Sequence, residues 1–379
     1  AMMFMQFRIG YDMGIVLAKA IVLSLISVFF LMPGLLLTFA KAIDHSHHKS
    51  FVPNITAVGK FCVHTRFVIP PLLVVAVIAG AVLSGRADYV YDVNTLQSKN
   101  MSENKFSVEM VNRNFGTVNQ LAVIVPGGDY EKEGKLLREL ERLPEVDSCM
   151  GLANIEAMDG YVLTAQLSPR EFAELMDIEV ANLLYSAYAV DDSNYGALLG
   201  GINEYKVPLI DMFLFIYDQK ERGNITLEDD LEETLTDAYS QISIAKNQLL
   251  GERCSRFVLE LSVPSEGEET YAALERIRGV AAKYYGDEEV YLVGNSTSNK
   301  DLSDSFVMDN NIITILTALF VMAILLFTFQ SAGLPVLLVV TIQGSIWMNF
   351  SLPYLTGEVV YFLGYLVVSA IQMGATIDY

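Results

Sequence analysis

Two blocks of apolar sequence, at about residues 14–84 and 312–377, constrain the fold of this 379-residue chain more than any other feature. A helix needs about 20 mostly apolar residues to cross the hydrocarbon core of a bilayer. The runs that meet or approach this length are 14–39, 67–83, 312–329, 334–352 and 359–377. The sequence therefore predicts an α-helical membrane bundle with five spans, the last of them incomplete, arranged as membrane helices over 1–84 and 308–379.

The stretch between the two blocks has the composition of a soluble domain. Residues 86–305 contain 40 acidic and 19 basic side chains, a net charge of −21, whereas the whole chain carries −20. A strongly acidic domain repels nucleic acid, so no nucleic-acid partner is expected. The simplest interpretation of the charge is solubility next to water and anionic lipid headgroups.

The short loop at 41–66 sets the expected orientation. It carries four Lys or Arg residues and a single acid, Asp44. Short basic loops stay in the cytoplasm, whereas long domains are translocated largely regardless of charge. The sequence thus predicts a multi-pass protein of the cell membrane with 41–66 cytoplasmic and 86–305 extracytoplasmic.

The middle domain shows the same pattern twice. A buried-type strand at 119–125 precedes a helix with leucines on one face and a strand at 146–152. A strand at 256–263 precedes a helix, opened by a Ser265–Glu268 capping box, and a strand at 290–293. Two such β-α-β units predict a ferredoxin-like α/β sandwich.

A largely helical insertion, at about 153–250, separates these two units. Its expected helices begin at Ser168, with Pro169 and Glu171 as start signals, and cover 208–219 and 226–250.

Two cysteines test this fold. In a β-α-β-β-α-β sandwich the second and third strands are adjacent, with Cys149 in the second and Cys254 just ahead of the third. On the oxidising side of a membrane a disulfide between them would close the insertion at its base. The alternative is two free thiols packed as small apolar side chains.

One acid interrupts the last apolar run. Asp378 follows nineteen uncharged residues, 359–377, and Tyr379 adds a hydroxyl beside it. A carboxylate in hydrocarbon is costly and has a raised pKa, which suits proton exchange. Gly374 and Ala375, one turn earlier, would let a neighbouring helix approach closely. The alternative is that the helix leaves the membrane at Asp378.

Other chemistry finds little support. His45, His47 and His48 lie near Asp44, but no further ligand at suitable spacing completes a metal site. The chain has no phosphate-binding Gly-Lys-Ser/Thr motif, and the outer domain has no His to activate Ser296 or its neighbours. We therefore expect neither an enzyme nor a bound metal or cofactor.

The pattern Gly374-x-x-x-Asp378-Tyr379 resembles the signature of the MMPL branch of the resistance-nodulation-division (RND) transporters. Residues 8–14, 31–36 and 114–116 are similar to further motifs of that family, so the resemblance extends over essentially the whole chain.

This resemblance implies a fragment that runs from late in the fifth to the tenth membrane helix, with a porter-type domain between. Both chain ends lie in apolar sequence and look cut, as expected for such a fragment. Asp378 and Tyr379 would then form half of a proton relay that drives export of lipids or other hydrophobic compounds.

The expected partners are membrane lipids, a hydrophobic substrate and the N-terminal half of the same transporter. A homo-oligomer is left open. The alternative function is a lipid- or sterol-sensing receptor of the same architecture that does not transport.

Overall fold

A computed structural model of the chain describes residues 2–45, 56–92, 103–116, 119–158, 160–174, 178–191, 201–225 and 229–375. It divides into two compact units. The membrane unit comprises Ala1–Gln97 and Asp301–Tyr379, and the middle unit comprises Ser98–Lys300. The sequence-based limits of the middle domain were 86 and 305.

Long apolar helices form most of the membrane unit. Helices α1 (Arg8–Ile26) and α2 (Met32–His45) are joined by a π-helical turn into one run of 38 residues. Helices α3 (Thr56–His64) and α4 (Ile69–Ser84) meet at an 85° bend. Helices α12 (Asn295–Phe329), α13 (Gly333–Thr356) and the shorter apolar α14 (Phe362–Ala375) complete the unit.

The described residues thus contain three helices long and apolar enough to cross a membrane, or four if the bent pair is one span. These four coincide with the first four predicted spans. The fifth predicted span corresponds to α14, whose 14 described residues are too few to be counted as a crossing by themselves.

Glycines allow α4 and α13 to pack closely. A Cβ atom on Gly344 would lie 2.6 Å from a γ-methyl of Val77, and one on Gly80 would lie 3.1 Å from the Cα of Met348. Small residues at such crossings let two helix backbones approach, which is how helices associate where no hydrophobic effect drives them together.

One end of the membrane unit is closed by a pair of short strands. Strand β1 (Tyr89–Val90) pairs in parallel with β10 (Val360–Tyr361), so the segment after α4 is tied to the start of α14. Aromatic side chains pack beneath the pair, with the Phe306 ring 4.7 Å from that of Tyr89. We call this the β1–β10 end.

A four-stranded antiparallel sheet forms the centre of the middle unit. Its strands are β2 (Asn119–Pro126), β3 (Val146–Met150), β8 (Cys254–Leu261) and β9 (Tyr291–Gly294), in the order β3-β8-β2-β9. Helices α6 (Tyr130–Leu140) and α11 (Glu268–Tyr285) bury their apolar faces on one side of it. The predicted adjacency of the second and third strands is confirmed, because β3 pairs with β8.

The remaining elements of the middle unit lie before β2 or in the insertion. Helix α5 (Glu103–Phe115) precedes the sheet. The insertion contains four short strands, β4 (Glu156–Met158), β5 (Tyr161–Val162), β6 (Gln166–Leu167) and β7 (Val207–Pro208). Its helices are α7 (Pro169–Phe172), α8 (Ile178–Asp191), α9 (Leu209–Glu221) and α10 (Asp229–Leu249).

Local capping signals were read correctly at one helix and wrongly at another. The helix start predicted at Ser168 is confirmed, and Ser168 and Glu171 form a capping box at the start of α7. The Ser265–Glu268 box is wrong: α11 begins at Glu268, and its N-cap is Gly267 at φ 122°. Only glycine adopts that backbone angle readily, so the turn rather than a side-chain cap sets the first residue of the helix.

The proposed bridge between Cys149 and Cys254 is also wrong, since both thiols are free. Cys149 on β3 lies opposite Leu259 of β8, whereas Cys254 is the first residue of β8, five positions before Leu259. Five positions along a strand amount to roughly 17 Å, whereas bridged Cα atoms lie within about 7 Å. Cys149 is buried among the apolar residues between sheet and helices, and this burial raises the pKa of its thiol to about 12.

Candidate functional site

The residues predicted to relay protons, Asp378 and Tyr379, lie outside the described residues. Gly374 and Ala375, predicted to pack against a neighbouring helix, end α14 and are exposed. A Cβ atom on Gly374 would meet nothing within 4 Å among the described residues. Instead, both residues line a groove of about 650 Å³ whose opposite side is formed by α1, including Gly14 and Ala18.

A row of polar side chains follows α14 towards that groove. Tyr365, Ser369 and Gln372 recur at helical spacing, so they share one face of an otherwise apolar helix. Tyr365 and Ser369 are buried. Gln372 Nε2 donates a 3.1 Å hydrogen bond to Ser345 Oγ on α13. The polar face of α14 is therefore turned towards the interior of the helix bundle.

A small cavity lies along this polar face, between α12, α13 and α14. Its volume is about 10 Å³, and its polar lining residues are Thr314, Thr317, Gln343, Tyr365 and Ser369. A site of roughly 10–15 Å³ with two to four polar partners is about the smallest that holds one water molecule. The size and the hydroxyl and amide lining fit a single water.

A larger cavity, of about 250 Å³, lies at the β1–β10 end. Its lining includes Ser84, Tyr89, Asn310, Trp347 and Tyr365. The first three of these are polar side chains that share the lining with Tyr365. The Tyr365 ring also packs 5.3 Å from that of Tyr89. Tyr365 is thus positioned by ring packing at the edge of this cavity.

Sequence reasoning missed a buried carboxylate near this cavity. Asp309 has no exposed surface, and its two oxygens accept hydrogen bonds of 3.2 and 3.3 Å from the backbone N–H of Gln6. The predicted span starts at 312, three residues after Asp309, and this acid was not singled out from the sequence. Helical spacing offers a signal for its neighbour Asn310, which stands one and two turns before Thr314 and Thr317.

The middle unit contains a second buried acid. Glu133 on α6 accepts a 2.7 Å hydrogen bond from Ser255 Oγ and a 3.1 Å bond from the Gly128 N–H. Burial raises the pKa of this carboxyl, although both hydrogen bonds act to lower it. Its Oε2 atom is buried and has no hydrogen-bond partner among the described residues. Glu133 joins the turn after β2 to strand β8.

An apolar cleft of about 290 Å³ lies in the insertion of the middle unit. Leu163, Phe213 and Ile242 supply apolar walls, and Glu156 and Gln241 are polar residues on its lining. The cleft has the size range and lining of sites that bind small hydrophobic molecules.

Metal ligands do not gather within the described ranges, where no group of three or more His, Cys, Asp or Glu side chains is placed to hold an ion. Of the three histidines considered from the sequence, His45 ends α2. His47 and His48 lie outside the described residues.

Long apolar helices, polar side chains turned into their bundle and a separate α/β unit are typical of a polytopic membrane protein. The sequence profile of the MMPL family matches residues 245–379, a stretch that contains β8, α11, β9 and the helices α12 to α14. Over this stretch the match confirms the resemblance to MMPL-type RND transporters, a family associated with hydrophobic substances. No curated relative matches the chain at a significant level.

Proposed function

We propose that this chain is part of an exporter of lipids or other hydrophobic compounds that is driven by the proton-motive force. The observation that carries this proposal is the position of Asp378 and Tyr379. They follow nineteen uncharged residues and fall inside the stretch that matches the MMPL family. A pump driven by protons needs a carboxylate that can bind and release one within the membrane, where an acid is otherwise costly.

The chemistry proposed for this pair is reversible protonation. The low dielectric of the bilayer destabilises the charged carboxylate, so Asp378 can bind a proton from one side and release it to the other near neutral pH. Tyr379 would hydrogen-bond to the carboxyl and orient it. The work requires neither a cofactor nor a covalent intermediate, so the protein is proposed to be a transporter and not an enzyme.

The middle unit is proposed to be a ferredoxin-like, porter-type domain that contacts the substrate. Its strand order β3-β8-β2-β9, with α6 and α11 on one face, supports this assignment. The apolar cleft beside Phe213 offers a surface for a hydrophobic substrate. Membrane lipids, the N-terminal half of the transporter and a second copy of the chain are the proposed partners.

The test is an Asp378→Asn substitution in the full-length transporter, reconstituted in liposomes with a proton gradient. Asparagine keeps the shape of the side chain but cannot exchange a proton, so proton-coupled transport should be abolished while insertion and folding remain normal. Asp147→Asn, which changes an exposed acid on β3, is the control and should transport like the wild type. Normal transport by Asp378→Asn would refute the relay.

The lipid- or sterol-sensing receptor predicts a different outcome. Such a protein would bind lipid with the same affinity in wild type and Asp378→Asn, and neither would move it across the bilayer. The proposed N-terminal half of the transporter would separate the two functions as well: a second Gly-x-x-x-Asp-Tyr motif there favours the pump, and a neutral residue in place of that Asp favours the receptor.

The proposed orientation places 41–66 in the cytoplasm and 86–305 outside a cell membrane. Cys62 on α3 is exposed and provides a direct probe. After Cys149 and Cys254 have been replaced, a membrane-impermeant thiol reagent added to intact cells should leave Cys62 unlabelled, and it should react once the membrane is permeabilised. Labelling before permeabilisation would reverse the orientation.

A further inference from the structure

Three cavities of the membrane unit share lining residues and so form a series of neighbouring spaces. The 250 Å³ cavity at the β1–β10 end and the 10 Å³ cavity are both lined by Tyr365. The 10 Å³ cavity and the 650 Å³ groove are both lined by Thr317 and Ala370. The series therefore runs from the β1–β10 end to the groove beside Gly374, four residues before Asp378 in the sequence.

The first two members of this series are lined by polar groups within a largely apolar helix bundle. Ser84, Asn310 and Tyr365 line the first, and Thr317 and Gln343 are among the polar residues that line the second. Within hydrocarbon, polar side chains persist where they bind one another, line a water-filled space or serve transport. Asn310 Oδ1 is buried and lacks a hydrogen-bond partner in the described part of the chain, which leaves it available to water.

Hydrogen bonding within a helix does not explain why polar side chains line these cavities. Thr317 on α12 and Thr341 on α13 make the same bond, each hydroxyl donating to the carbonyl four residues earlier in its own helix. Of these two threonines, Thr317 lines two of the three cavities, whereas Thr341 is exposed on the outside of the unit. The difference between the two threonines is thus their position relative to the series.

We propose that these cavities form an access path that carries water and protons from the β1–β10 end to the groove beside Gly374, with Tyr365 as its gate. This inference rests on the proposed proton-driven function and adds the route by which protons reach the relay. Protons pass between water molecules held by the hydroxyl and amide groups, and no covalent bond other than O–H is made or broken.

Tyr365 suits the role of a gate because it lines both the 250 Å³ cavity and the 10 Å³ cavity. It shares the lining of the 250 Å³ cavity with Ser84, Tyr89 and Asn310, and its ring lies 4.3 Å from that of Phe350. In this arrangement the small cavity has room for about one water. Movement of the Tyr365 ring into the 250 Å³ cavity would join it to the 10 Å³ cavity. A continuous chain of water molecules could then form between them.

The first test measures proton flux in liposomes that contain the full-length transporter and an internal pH-sensitive dye. Thr317→Val and Gln343→Leu remove polar lining at nearly constant volume and should slow proton uptake about tenfold. Thr341→Val is the matched control and should keep the wild-type rate. Wild-type rates in both path variants would overturn the proposal and leave the polar groups as helix-packing contacts.

The Asp378→Asn variant separates this proposal from the function on which it rests. If wild type shows no coupled flux, the proton-driven function itself fails. If wild type is coupled and Asp378→Asn is not, while Thr317→Val and Gln343→Leu remain fully active, the relay stands and the path is wrong.

A second test does not depend on transport. In a background without the three native cysteines, Ser369→Cys places a thiol on the small cavity. A small water-soluble thiol reagent should label it slowly, and several times faster when Tyr365→Ala removes the gate. Thr341→Cys should react equally slowly with and without Tyr365→Ala. A labelling rate at Ser369→Cys that is unchanged by Tyr365→Ala would refute the gate.

Discussion

The two units of this protein differ in where they place large apolar side chains: the middle unit buries them, and the membrane unit exposes many of them. In the middle unit the large apolar residues of the sheet and its helices, such as Leu121, Leu137 and Phe257, have no exposed surface. In the membrane unit Leu37 is 80 % exposed and Phe327 is 87 % exposed, whereas Ser369 is buried. The same residue types therefore fold around two different solvents within one chain.

This contrast changes what stabilises each unit. Burial of apolar area contributes about 25 cal/mol per Å² in water, and that term accounts for the packed core of the middle unit. Lipid tails are as apolar as leucine, so the membrane unit gains nothing comparable by burying Leu37. Its stability depends on close helix contacts, such as that of Gly344 with Val77, and on internal polar bonds.

The largest expected effect comes from placing the same acid on the exposed surface of each unit. Leu319 on α12 is 59 % exposed and Val293 on β9 is 54 % exposed. Leu319→Asp should impair membrane insertion, because an acid at the centre of a membrane helix costs about 2.5–3.5 kcal/mol on insertion scales. Val293→Asp should change stability by no more than about 0.5 kcal/mol, as for ordinary surface substitutions.

Glycosylation-based insertion assays for Leu319→Asp and thermal unfolding for Val293→Asp measure these two effects. Equal, small effects at both sites would mean that the exposed face of α12 is in water, which would contradict the contrast between the units.

A smaller effect is expected from enlarging glycines in the membrane unit. Gly344→Val should destabilise the packing of α4 on α13 by about 1–3 kcal/mol, the usual cost of overpacking. Gly364→Val is the matched control, since a Cβ atom there meets nothing within 4 Å among the described residues. Thermal unfolding in detergent should show a lower melting temperature for Gly344→Val alone. Equal melting temperatures would mean that α4 and α13 are not in close contact.

Sequence patterns were sufficient where one physical rule dominates. Uncharged length located the long apolar helices, a continuous apolar run located β2 and alternation located β8, because each rule acts on many residues at once. The short strands β4 to β7 were missed, since two or three residues carry no readable period. The cap at Gly267 was missed because a positive φ leaves no trace in the sequence beyond the glycine itself.

The candidate site shows the same limit more sharply. Asp378 was found as a charge in an uncharged run, but Tyr365, Ser369 and Gln343 are common residues in apolar helices. Their importance comes from three helices converging on one cavity, which no single helix encodes. The disulfide between Cys149 and Cys254 was wrong for a related reason. The sequence predicted which strands are neighbours, but not the register that separates the two cysteines.

The smallest expected effect concerns Glu133, the acid that is buried inside the middle unit. Burial raises the pKa of Glu133 above its ordinary value of 4.5. The folded unit therefore binds this proton more tightly than the unfolded chain does. The stabilisation is fully present below about pH 4.5 and is lost as the pH rises through the folded-state pKa.

Glu133→Gln should remove this dependence, because the amide oxygen still accepts from Ser255 Oγ and the Gly128 N–H but does not titrate. Urea unfolding of both proteins from pH 4 to 8 should give curves that diverge as the pH rises, with the wild type losing more stability. The other acids of the unit are the same in both proteins, so their contribution cancels in the difference. Glu133→Leu leaves both donors without an acceptor and should be less stable at every pH. Parallel curves for wild type and Glu133→Gln would mean that the carboxyl titrates alike in the folded and unfolded states, and hence that Glu133 is in contact with water.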